Sequence, residues 1–174
     1  MYLISIYFDE KTNKRIQQYI DKVAEKTGNT FMLDGKVPPH ITVSAFETQN
    51  EAAVMEVLDS LAHNLKKGKL TWASVGQFFP YVIYMTPVLN AYLHEMAESI
   101  YDVLSVLEGI QVNAHYRPFQ WLPHTTIAKK LSKEQMKTAF EVLQDSFGMF
   151  EGEVVRIGLA KPNPHRDIAT WELQ

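Results

Sequence analysis

Residues 2 to 8 carry the β-branched and aromatic side chains of a strand, and residues 10 to 27 then set Ile16, Tyr19, Ile20 and Val23 on one helical stripe. Residues 28 to 39 read as a loop, broken by Gly35 and the pair Pro38-Pro39. After it Ile41, Val43 and Ala45 alternate with His40, Thr42 and Ser44, the two-residue period of a second strand. A helix over 49 to 66 follows, with Val54, Val57, Leu58, Leu61 and Leu65 on one face, and then strands at about 69 to 78 and 81 to 86. The next helix, about 88 to 107, turns Leu89, Leu93, Met96, Ile100, Leu104 and Leu107 inward. A strand near 123 to 129, a helix at 133 to 147 and strands at about 151 to 160 and 167 to 173 complete the chain.

The two halves can be laid on one another. Pro39-His40-Ile41-Thr42-Val43 matches Pro123-His124-Thr125-Thr126-Ile127. Eight residues beyond each histidine stands a capping box, Thr48 with Glu51 and Ser132 with Gln135, so the following helices are expected to begin in the same register. Val75-Gly76 and Ile157-Gly158 recur at similar distances from the histidines. The pattern implies two copies of a strand, helix, strand, strand unit, about 38–86 and 122–173, with no linker between them. The expected fold is α+β and bilobal: residues 1–174 form one domain of two interleaved, pseudo-symmetric lobes, with antiparallel sheets lining a central cleft and helices outside.

Composition narrows the chemistry. The chain has 174 residues and no cysteine, which excludes a disulfide scaffold, a thiolate nucleophile and any Cys-ligated metal. No apolar run approaches the roughly 20 residues that span a bilayer, and the first residues read as a strand rather than a signal peptide, so a cytoplasmic protein with no membrane association is expected. A net charge of −3 gives no broad footprint for long nucleic acid but leaves room for a local phosphate pocket. No spacing of histidines or acidic residues suggests a metal, and no cofactor fingerprint is present. No obligate protein partner is evident.

On a strand, His40 and Thr42 share one face, as do His124 and Thr126, so a histidine and a hydroxyl from each lobe can meet across a cleft. Histidine serves as general acid or base near neutrality, and threonine hydroxyls can hold phosphate oxygens. A single His-x-Thr carries little information. The pair, with matched flanking residues, carries much more. His63 and His94 lie off their helical stripes and read as solvated. His115 and His165 read as exposed loop residues beside Arg117 and Arg166.

These residues resemble the 2H phosphoesterases, named for two His-x-Thr/Ser motifs, and within them the LigT-like group of 2′-5′ RNA ligases and RNA 2′,3′-cyclic phosphodiesterases. Gly76-Gln77-Phe78-Phe79-Pro80 is similar to the family's Gly-x-Phe-Pro turn, and Phe119-Gln120-Trp121-Leu122-Pro123-His124 to the run into its second motif. Three residues depart from the pattern. Thr125 stands where an aliphatic residue is usual, at an expected packing cost, and Lys129 and Lys130 stand where the family commonly has an arginine. The resemblance implies a phosphodiesterase acting on an RNA end or small nucleotide, with His40, Thr42, His124 and Thr126 catalytic and His124 the base. Lys129 and Lys130 are candidates for phosphate contact, and Phe46 and Tyr116 for base stacking. Ligation through a 2′-5′ bond uses the same groups in reverse, and a binding module without turnover is the rival reading.

Overall fold

The computed structural model describes residues 1–162 and 165–174. Strand β1 (Tyr2–Phe8) leads into helix α1 (Glu10–Thr27), the short α2 (Phe31–Gly35), β2 (His40–Glu47) and α3 (Glu51–Ala62). Then come β3 (Gly68–Phe78), β4 (Val82–Pro87), α4 (Ala91–Ser105) and the two-residue β5 (Gln111–Val112). A 3-10 turn at Ala114–Tyr116 precedes β6 (Thr125–Lys129), α5 (Lys133–Ser146), β7 (Phe150–Pro162) and β8 (His165–Glu172). The fold is mixed helix and antiparallel sheet, as the periodicity indicates. Helix α2, β5 and the 3-10 turn fall in stretches whose sequence reads only as loop.

Local chemistry explains the helix ends. Asp9 caps α1 by accepting from the Thr12 N–H (2.9 Å) and Thr12 hydroxyl (2.8 Å), and Gly28 closes the helix at φ 69°, where a side chain would be strained. Ser132 and Gln135 form the expected reciprocal capping box on α5. The box expected at Thr48 and Glu51 does not form. Asn50 caps α3 through the Ala53 N–H, the Thr48 hydroxyl accepts from the Asn50 N–H, and Glu51 is drawn away by the Tyr2 hydroxyl and Lys161. As a result α3 and α5 do not start in the same register.

The sheet has the order β5-β2-β1-β7-β3-β4-β6, with β8 also on β7. Strand β7 is long enough to serve two neighbourhoods. Its residues Phe150–Val154 pair with β3, Val154–Ala160 with β1, and Arg156–Pro162 with β8. Helices α1 and α5 pack together beside β6 and β4, whereas α3 and α4 pack together beside β8 and β2. The connections therefore cross between the two packing groups. The core is continuous: Trp72 is fully buried, edge-on to Phe8 (4.9 Å) and stacked on Phe150 (5.0 Å). Burying an indole N–H requires an acceptor, and the Thr125 hydroxyl accepts it at 3.2 Å. Thr125 is thus a hydrogen-bond partner to Trp72 rather than a flaw in packing.

Candidate active site

Strands β2 and β6 lie far apart in the sheet order yet come into contact, because the sheet curls back on itself. No ladder joins them. The Trp121 indole, just before β6, donates to the Thr42 carbonyl on β2 at 3.0 Å and ties them together.

Each motif is built in the same way. His40 Nδ1 lies 2.8 Å from the Pro38 carbonyl, and His124 Nδ1 lies 2.9 Å from the Leu122 carbonyl, two residues upstream in both cases. A carbonyl can only accept, so Nδ1 carries the hydrogen, and in the neutral ring Nε2 keeps its lone pair. A tyrosine flanks each ring. Tyr7 of β1 lies 6.1 Å from His40, and Tyr84 of β4 lies 5.3 Å from His124, ring centre to ring centre. Phe78 adds an edge contact to His124 at 4.8 Å. Both tyrosines lie over glycine: a Cβ on Gly158 would come within 2.9 Å of Tyr7, and one on Gly76 within 2.6 Å of Tyr84. The recurrence of Gly76 and Gly158 in sequence therefore has a steric reason.

Each motif strand also contains a bulge one residue past its threonine. Ser5 and Ile4 of β1 oppose Thr42 and Ser44, leaving Val43 unpaired, while Tyr84 and Ile83 of β4 oppose Thr126 and Ala128, leaving Ile127 unpaired. Beyond a bulge the alternation of faces is inverted, and this corrects two expectations. Phe46 turns into the core, 1% exposed and stacked on Tyr2 at 5.6 Å, so it offers no base-stacking surface. Lys130 turns away, its ammonium over the Phe31 ring at 4.4 Å. Lys129 instead shares the face of His124 and Thr126.

Phe78, Tyr116, Trp121, His124, Thr126 and Lys129 line a cavity of about 450 Å³. Tyr116 thus stands where a stacking residue is expected. His115 lines the same cavity although it is exposed. Larger hollows lie on α1, between the β3–β4 turn and α5, and between α4 and β5, but none contains a histidine. On the other side, the Thr42 hydroxyl is buried 3.4 Å from that of Ser5. His165 belongs to β8 rather than to an exposed loop and contacts Asp167 at 3.1 Å. His63 is exposed. His94 is not simply solvated: it packs against Phe119 at 4.7 Å.

Burial pushes the His40 pKa below its ordinary value, against the opposing pull of the Pro38 carbonyl, and the charges of His165 and His124 lower it further. His124 is lowered by burial as well, again opposed by its carbonyl partner. Burial and the Asp167 charge raise the Tyr7 hydroxyl to about 12 despite Arg156, so Tyr7 stays neutral. Sequence reasoning misses Tyr7, Tyr84 and Arg156 as members of the site. Their only signals are the paired glycines and the Gly-x-Phe-Pro turn. Among the described residues, no group of three His, Asp or Glu side chains is placed to hold a metal ion, and no helix is long and apolar enough to cross a membrane.

The family model of the 2′-5′ RNA ligase superfamily matches residues 12–166. The chain belongs to this 2H phosphoesterase superfamily. Among solved structures, E. coli LigT complexed with 3′-AMP superposes with a TM-score of 0.62 at 16% identity, covering 99% of this chain and 97% of LigT. TT0787 of Thermus thermophilus does so with a TM-score of 0.60 at 13% identity, with the same coverage. At such identity these likenesses establish the LigT-like fold. A comparison with curated protein sequences finds no match.

Proposed function

We propose that residues 1–174 act as one metal-independent phosphodiesterase, opening 2′,3′-cyclic phosphates or related 2′-linked phosphoesters of RNA ends or small nucleotides in the cytoplasm. The observation that carries this reading is the matched pair of histidines, each anchored through Nδ1 to a carbonyl so that Nε2 is free for proton transfer. Neutral His124 takes a proton from water as its oxygen attacks phosphorus. The bond from phosphorus to one ribose oxygen breaks, and protonated His40 gives that oxygen its proton. The product is a phosphomonoester, and the two imidazoles have exchanged protonation states. Thr42 and Thr126 hold the non-bridging oxygens as charge develops, and Lys129 adds positive charge. Superfamily members act on phosphodiester bonds, and LigT has been seen with both 3′-AMP and ATP, which supports a nucleotide in the cleft.

The test is single-turnover hydrolysis of 2′,3′-cyclic nucleotides, with 2′-5′ linked oligonucleotides screened in parallel. His40→Ala and His124→Ala should each lower the rate by about 10²- to 10⁴-fold, with calorimetric affinity for a nucleotide changing far less. Saturating chelator should leave turnover unchanged. Tight binding by the wild type without hydrolysis of any phosphoester would replace this reading with a recognition module, and joining of ends in place of hydrolysis would replace it with a ligase.

A further inference from the structure

The proposed chemistry leaves one cation on the face of His40 unused. His40, Tyr7 and Arg156 stand directly in register across β2, β1 and β7. In-register neighbours on adjacent strands share a face of the sheet, so Arg156 lies on the face of His40, two strands and about 10 Å away at Cα. Its guanidinium lies over the Tyr7 ring, 5.0 Å from the centre, in a cation–π contact that holds the head group beside the ring flanking His40. Among the described residues, no carboxylate comes within 4 Å of it, its neighbour on β8, Glu172, included. Asp167 is engaged by His165 instead. The Arg156 Nε is shielded from solvent and has no hydrogen-bond partner among those residues. A donor buried without a partner costs free energy, and a guanidinium held in place without a salt-bridge partner is an arrangement that a phosphate completes.

We propose that Arg156 is the centre of a second phosphate subsite, which takes the phosphodiester one nucleotide away from the reacting phosphate and favours an oligonucleotide end over a cyclic mononucleotide. This rests on the phosphodiesterase reading above and adds to it the class of substrate. Lys129 marks the His124 side of the cleft, and Arg156 marks the His40 side. A strand bound by both lies along the cleft with its terminal phosphate between the imidazoles.

The test compares three substrates: a 2′,3′-cyclic mononucleotide, a dinucleotide ending in a 2′,3′-cyclic phosphate, and the same dinucleotide with its internal linkage replaced by a neutral methylphosphonate. The wild type should favour the charged dinucleotide over the neutral one by about 10- to 100-fold in kcat/KM, the range expected for hydrogen bonds to a charged group. Arg156→Ala should remove that preference, lowering kcat/KM for the charged dinucleotide about 10- to 100-fold more than for the mononucleotide, which has no second phosphate to lose. Arg156→Lys should restore part of it, since lysine supplies charge without the fork. A purely structural arginine would give equal losses on all three substrates, and that result, or no loss on any, overturns the proposal. If the wild type hydrolyses none of them, the phosphodiesterase reading fails, and the subsite is then judged by calorimetry with 3′-phosphorylated dinucleotides. A charge-dependent affinity that Arg156→Ala abolishes upholds it; equal affinity for charged and neutral linkages overturns it.

Discussion

Replacing Gly76 with alanine tests whether the tyrosine beside His124 is held by contact with bare backbone. The new Cβ would meet the Tyr84 hydroxyl oxygen at 2.6 Å and two ring carbons at 2.7 and 2.8 Å, whereas ordinary contact begins at 3.4 Å. The phenol must therefore retreat by about 0.8 Å. Tyr84 is 7% exposed and wedged between Phe78, at 4.4 Å, and His124, at 5.3 Å, so it cannot swing into solvent and the displacement passes to the imidazole. Overpacking of this kind costs about 1–3 kcal/mol, which lowers Tm by roughly 3–10 °C in a chain of this size. A shift of about 1 Å at a proton-transfer group costs about 10²-fold in rate. Thermal unfolding and kcat/KM on a 2′,3′-cyclic nucleotide should show both effects in Gly76→Ala and neither in Gly148→Ala, where a Cβ meets nothing within 4 Å. Combining Gly76→Ala with Tyr84→Ala should be strongly non-additive, because the clashing ring is gone. Gly76→Ala with an unchanged Tm and kcat/KM within about twofold of wild type would refute the reasoning.

Three further expectations rest on the same geometry. Because the pKa of His40 is lowered in the folded chain, the unfolded state binds more protons just below the ordinary value of 6.5; stability should fall as pH drops through that window, and His40→Gln should flatten the fall in denaturant titrations. Both imidazoles are depressed, so the bell of kcat/KM for the free enzyme should lie on the acid side of the range set by ordinary histidines, and a profile flat from about pH 5 to 9 with chemistry rate-limiting would contradict the mechanism. Trp121→Phe removes the donor to the Thr42 carbonyl and should cost about 1 kcal/mol of stability in urea unfolding, with a fall in kcat/KM larger than the stability change explains.

The histidines and threonines were legible because their chemistry is local: proline, histidine and threonine at fixed spacing on a strand that begins at the motif. The periodicity of each main helix was legible for the same reason. What escaped depends on partners distant in sequence. A bulge leaves no mark of its own, yet the one at Val43 sends Phe46 into the core, and the one at Ile127 leaves Lys129, and not Lys130, on the face of His124. The box at Thr48 and Glu51 looks as good as that at Ser132 and Gln135, but Asn50 competes for the helix end and Tyr2 and Lys161 compete for the glutamate. Tyr7, Tyr84 and Arg156 enter the site through pairings of β1, β4 and β7, and nothing near the motifs announces them.

The same pairings explain how a site shared between two strands without a common ladder keeps its spacing. Each motif strand is flanked by a tyrosine-bearing partner, β1 for β2 and β4 for β6, and these partners lie on opposite sides of β7, β1 directly and β4 through β3. A displacement of one histidine relative to the other must therefore bend β7 or break the ladders on it. Trp121 adds a direct tie at the point where the motif strands meet. In-line displacement needs an acid and a base on opposite sides of phosphorus at a separation that varies little, and loops joining independent halves would supply that poorly. A continuous strand running through both neighbourhoods supplies it at no cost in added contacts, which is a physical reason for the two sequence repeats to be fused without a linker.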